Sequence, residues 1–165
     1  MPATGNSVKY TLVPTSLFKE EQQYKLLSEL VQLDGNDTVK HISLPAYEAV
    51  LVYAVSSSSE YAPVVYNLLT TLNKIREHNK ILVSFCDCYV HIVMGEGNKL
   101  LLCNSFPASD ITTAEYFIFY AIKEFQINPE MTTIYFYEEI VDEIRDELFK
   151  YFQGVESISV FENTI

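Results

Sequence analysis

Residues 83–102 read VSFCDCYVHIVMGEGNKLLL, and the fold turns on how this stretch is divided. Apolar residues flank two interruptions, Cys86-Asp87-Cys88 and Gly95-Glu96-Gly97-Asn98. Gly and Asn tolerate the positive φ of tight hairpins, so the second interruption is predicted to be a turn. Working outward gives three successive strands, Lys80–Cys88, Tyr89–Met94 and Lys99–Phe106. The first interruption is the open question: a metal or redox site, a phosphate loop, or the meeting of two strands. Strand alternation would put Cys86 and Cys88 on one face and Asp87 on the other. Two thiolates so placed could join Cys103 and a histidine around zinc. The simpler reading makes the cysteines small apolar core residues in a reducing compartment, and no metal site is assigned.

Downstream, Thr112-Thr113-Ala114-Glu115 matches a capping box, opening a helix that runs to about Phe125 and stops before Asn128-Pro129. A strand is predicted over Thr132–Tyr137, a helix over Glu138–Phe152 and a final strand over Ser157–Phe161. Upstream, Val8–Val13 reads as a strand, Ser16–Leu33 as a helix, and Asp34-Gly35-Asn36-Asp37 as a stop. Strands follow at Val39–Leu44 and Tyr47–Val55, separated by Pro45. Ser56–Ser59 caps a further helix reaching about Glu77, with Pro63 in an early turn. The second half, β-β-β-α-β-α-β, implies a mixed sheet with helices packed on it and its last strands parallel to its first. The first half, β-α-β-β-α, reads as an incomplete copy of that plan.

A hydrophobic fraction of 48% is ample for a packed core. The longest apolar run, Tyr116–Ile122, falls far short of the roughly 20 residues that span a bilayer, so no membrane insertion is expected. The N-terminus has no apolar core like that of a signal peptide, which predicts a cytoplasmic protein. A net charge of −11 disfavours nucleic acid and anionic lipid as partners.

Residues 80–161 resemble a ribonuclease H-like domain, and more narrowly the second lobe of the actin, heat-shock chaperone and sugar kinase superfamily. Pilus-assembly and cell-division actin homologues carry a hairpin of the form VDIGAGTTDIVVFKDGKLL. Set against it without gaps, VSFCDCYVHIVMGEGNKLL keeps the hydrophobic positions and the turn. The whole chain, including NKLLLCNSF before a helix and an acidic final helix, is similar to an uncharacterised family from Bacteroidetes with that actin-like fold. The resemblance implies an α/β protein with a disordered N-terminus (1–7), a partial first lobe (8–78) and a nearly complete second lobe (79–165).

In active members of the superfamily the hairpin's aspartate works with metal or water, and its glycines let amides approach a phosphate. Here Ser84 takes the aspartate position, Cys86 and Cys88 the glycine positions, Tyr89 and Val90 the small hydroxyl pair, and His91 the second acid. The resemblance therefore implies a degenerate phosphate hairpin at Ser84, Cys86, Cys88, Tyr89 and His91. Only Val8–Val13 precedes the first helix, so the first lobe's own hairpin is not expected in this chain. The resulting expectation is a non-catalytic pseudo-ATPase acting as an interaction or assembly module, with no catalytic residue and no cofactor. The alternative is an ATP-binding protein, with Mg, whose phosphate loop lies in a further N-terminal segment.

Other clusters carry less. Glu138, Asp142 and Asp146 are spaced i, i+4, i+8 opposite Ile140, Ile144, Leu148 and Phe152, which reads as the solvated face of a helix. A ribonuclease H-type nuclease needs several converging carboxylates, and the first strand offers Asp87 alone. A thiol enzyme built on Cys86 or Cys88 with His91 lacks an orienting acid. Tyr116, Phe117, Phe119 and Tyr120 make the helix after the hairpin apolar all round. Burial within the chain is expected there, with a contact to a protein partner or a second copy as the alternative.

Overall fold

A computed structural model describes residues 8–56 and 62–158. The expected disorder at 1–7, most of the Ser56–Ser59 cap and the end of the expected last strand lie outside those residues. The chain forms two compact units, one through Tyr66 and one from Asn67.

The first unit is built on a three-stranded antiparallel sheet in the order β1-β3-β2, with β1 at Tyr10–Pro14, β2 at Asp37–Leu44 and β3 at Ala49–Ser56. β3 is central and buried along nearly its whole length, and Pro45 sits in a 3-10 turn between β2 and β3. The expected helix over Ser16–Leu33 is shorter: two 3-10 turns precede α1, Gln23–Leu30. Phe18 and Lys19 are extended, because the Phe18 ring turns in against His41, 4.9 Å between centroids. Leu27 anchors α1 to Val13, Val50 and Val52. α2, Val64–Leu72, ends before the expected Glu77, and Ile75 in the following turn is buried.

The second unit holds a five-stranded sheet in the order β6-β5-β4-β7-β8. β4 (Asn79–Cys86), β5 (Tyr89–Glu96) and β6 (Lys99–Pro107) form an antiparallel meander. β7 (Thr133–Phe136) pairs parallel to β4, and β8 (Gly154–Ser157) parallel to β7. This is the mixed sheet expected from the element order. α3 (Ile111–Glu124) and α4 (Asp142–Leu148) supply Ala114, Ile118, Ile122 and Leu148 to a core shared with Ile81, Val83, Ile92 and Phe136. Gly97, at φ +59°, makes the β5–β6 turn with Asn98, whereas Gly95 lies within β5 at a bulge.

Three further boundaries, in the second unit, differ from expectation, each for a physical reason. α3 starts earlier, because the Asp110 carboxylate accepts from the Thr113 N–H at 2.7 Å and takes the cap from Thr112. Glu115 therefore lies inside the helix and does not close a capping box. The last strand begins at Gly154, where Thr133–Phe136 offers a parallel partner, before the expected Ser157. The last helix is confined to Asp142–Leu148, since Glu138 is held elsewhere, as described next. Among the described residues no helix is long and apolar enough to cross a membrane.

Candidate functional site

The C-terminal ends of β4, β6, β7 and β8 and the start of β5 meet at one end of the five-stranded sheet. From β4 the chain proceeds to β5 and β6 on one side and later to β7 and β8 on the other. The strand order thus reverses between β4 and β7, and open α/β sheets place ligands in the crevice outside such a reversal.

Cys86 and Tyr89 pair across the β4–β5 hairpin, leaving Asp87 and Cys88 as its two central residues at φ 52° and 61°. Positive φ at both positions defines a type I′ turn, whose twist matches the flanking strands. "FCDCY" is therefore a tight hairpin turn, as the alignment of packing positions suggested. The expectation from strand alternation fails here, because Asp87 and Cys88 lie outside either strand. Cys86 is half-buried and Cys88 exposed, and among the described residues none of the three cysteines is in a disulfide. Cys103 pairs with Val93, which pairs with Leu82, so it lies two strands from Cys86 and four positions along the sheet. Among the described residues no group of three or more His, Cys, Asp or Glu is placed to hold a metal ion.

Ser84, His91 and Ser105 are cross-strand neighbours on β4, β5 and β6 and share one face of the sheet. His91 Nδ1 and Ser105 Oγ are hydrogen-bonded at 2.6 Å, and the imidazole stacks on Tyr89. Burial pushes the His91 pKa down to about 4, against a smaller opposing pull from Asp87, so the ring is neutral at physiological pH.

Ser84 is fully buried, and its hydroxyl donates to the carboxylate of Glu138. The Phe85 N–H donates to the other oxygen of Glu138 at 3.4 Å, and Ser157 Oγ donates to the Glu138 backbone carbonyl at 2.9 Å. These bonds draw Glu138 to the crevice between β4 and β7, off the helix on which its spacing from Asp142 and Asp146 had placed it. Burial raises the Glu138 pKa against the opposing effect of its hydrogen bonds. Ser84 Oγ also lies 3.6 Å from Cys86 Sγ. Burial pushes the Cys86 thiol up too, with further contributions from Glu138 and Asp87, which makes it a poor nucleophile.

The structure thus brings together Ser84, Cys86, Tyr89 and His91, holds Cys88 in the adjoining turn and adds Glu138, which sequence reasoning missed. The available signal was position: Glu138 follows directly on a parallel strand beside the reversal. Asp110 belongs to the same end, since the Ala108 N–H donates to the Cys88 carbonyl at 2.9 Å just before α3 begins. The aromatic residues of α3 lie away from this crevice. Phe117 stacks on Phe106 at 4.5 Å and Phe119 packs against Phe152, both half-buried, whereas Tyr116 and Tyr120 are exposed and depart from the burial expected of the whole cluster.

A crystal structure from Bacteroides thetaiotaomicron VPI-5482, described as a protein with actin-like ATPase fold and unknown function, matches with a TM-score of 0.77 at 21% identity. The match covers 93% of this chain, which spans 66% of the length of that one. A PilM-PilN type IV pilus biogenesis complex matches with a TM-score of 0.49 at 12% identity, over 90% of this chain and 65% of that chain. No curated protein matches significantly. The first likeness shows the actin-like ATPase fold for this chain, in agreement with the sequence resemblance. The family described as "Protein of unknown function (DUF3822)" matches residues 3–155, and the chain belongs to that family.

Proposed function

We propose that this chain is a non-catalytic protein of actin-like fold that serves as an interaction or assembly module, its phosphate-binding residues replaced. A partial first lobe over 8–78 and a second lobe over 79–165 fit this reading. The observation that carries it is the ownership of the hydrogen-bond donors at the hairpin. A phosphate needs free N–H and O–H groups and, in general, positive charge. Here Glu138 takes the Ser84 hydroxyl and the Phe85 amide, and Asp110 takes the Thr113 amide at the start of α3. The segments 86–89, 107–111 and 137–141 contain no Lys or Arg, and they contribute Asp87, Asp110, Glu138 and Glu139. A phosphate entering there would meet like charge and find its donors occupied.

The test is the thermal midpoint of the chain with and without millimolar Mg-ATP and Mg-ADP. A ligand at about a hundred times its dissociation constant adds roughly 2.7 kcal/mol, a rise on the order of 5–10 °C for a domain of this size. No shift is expected. A rise of that size would overturn the reading and favour the ATP-binding alternative.

A further inference from the structure

Tyr116 and Tyr120 stand one turn apart on α3, 64% and 51% exposed, with ring centroids 6.4 Å apart and planes within 23° of parallel. One residue before Tyr116, the Glu115 carboxyl meets that of Glu147 on α4. Burial and then the Glu147 charge raise its pKa, and Glu115 Oε1 is buried without a hydrogen-bond partner. One turn further along, Phe119 meets the half-exposed Tyr151 edge-on at 5.1 Å. The seam between α3 and the α4 segment therefore alternates an acidic rung with an aromatic one, beside a ladder of two exposed tyrosines.

Charge identifies what fits this face. The helices α3 and α4 carry six acidic side chains against two basic ones, a net −4 of the chain's −11. A second copy docked face to face would set −4 against −4, which opposes self-association. Nucleic acid and anionic lipid are repelled for the same reason. A guanidinium suits both parts of the seam: it stacks on tyrosine faces and pairs with carboxylates through its planar fork. The geometry points to the α3–α4 seam as the docking face for a basic, arginine-bearing segment of another protein, which stacks on Tyr116 and Tyr120 and pairs with the exposed Glu147. This inference rests on the interaction-module reading and gives it a surface and a partner chemistry.

The test titrates a fluorescein-labelled amphipathic peptide of arginine and leucine into the full chain at physiological salt. The double variant Tyr116→Ala/Tyr120→Ala is expected to weaken binding about tenfold or more, the scale of an aromatic anchor at an interface centre. Tyr116→Phe/Tyr120→Phe keeps the rings and should bind as the parent does, which separates a lost contact from a damaged fold. Glu20→Gln/Glu21→Gln removes two exposed carboxylates in the first unit and is expected to leave the affinity within about twofold. The proposal is overturned if the alanine pair binds as tightly as the parent, or if the first-unit variant weakens binding equally, since general charge attraction would then suffice. The nucleotide scan on the same preparation separates the two readings. Failed docking without a nucleotide shift removes this face alone, whereas a nucleotide shift removes the module reading beneath it.

Discussion

The hydroxyl of Ser84 on β4 donates to the carboxylate of Glu138, 54 residues further along the chain. With the Phe85 amide as a second donor, this contact closes the crevice between the two parallel strands on which the sheet reverses. Glu138→Ala would leave a buried hydroxyl and an amide without their acceptor, and is expected to cost about 1–3 kcal/mol in urea denaturation. Glu138→Gln retains an acceptor and should cost less. Because the folded-state pKa of Glu138 is raised, its proton linkage favours the native state at low pH, a contribution lost as pH rises through the folded value. The glutamine variant should lack that loss.

His91 acts in the opposite sense. Its folded pKa is about 4 against 6.5 for the free side chain, so the unfolded chain binds the proton first as pH falls. Stability should fall between about pH 6.5 and pH 4, by up to about 3 kcal/mol from this residue. His91→Gln, which can still reach Ser105, should flatten that part of the stability–pH curve. An unchanged slope in the variant would assign the acid sensitivity to other groups.

The β4–β5 turn holds a cysteine where the backbone favours glycine. Cys88 sits at φ 61°, a left-handed conformation that costs a residue bearing a Cβ roughly 1–2 kcal/mol. Cys88→Gly relieves this strain but frees more chain entropy on unfolding. The expected net gain is about 0.5–1 kcal/mol, read as a higher denaturant midpoint at unchanged m-value. A lower midpoint would mean that the Cys88 side chain makes a stabilising contact.

Gly154, at the start of β8, faces the opposite constraint. A Cβ there would lie 2.9 Å from Thr133 Oγ1 and 3.2 Å from Thr133 Cγ2, its partner in the parallel ladder. Gly154→Ala is expected to destabilise by about 1–3 kcal/mol. Adding Thr133→Ala removes both close atoms and should recover most of the loss, so the double-mutant cycle should show strong coupling.

The meander was legible because its information is local. Gly97-Asn98 specifies a turn, and the apolar runs on either side have the length of strands. The parallel placement of β7 and β8 followed from element order alone. Glu138 was misread for the converse reason: its spacing of four and eight residues from Asp142 and Asp146 sets it on one helix face, and nothing local announces a partner 54 residues away. The α3 cap was a nearer miss. Asp110 and Thr112 are both capping residues, and choosing between them needs the path of the chain leaving β6, which Ala108 fixes by its bond to Cys88. The tyrosines of α3 were seen as apolar, but periodicity could not say which side of an all-apolar helix meets the sheet.

The parallel pairing of β4 with β7 also bears on the order in which the molecule assembles. The β4–β5–β6 meander closes through two short turns, so its loop-closure cost is small and its contacts form early. Ile81 reaches Ile134 only after the intervening chain has been gathered, a slower and more expensive closure. Until that event Ser84 and Phe85 belong to a finished hairpin whose donors still face water. The acid that occupies them is therefore expected to dock late in folding, with the closure of β7 onto β4.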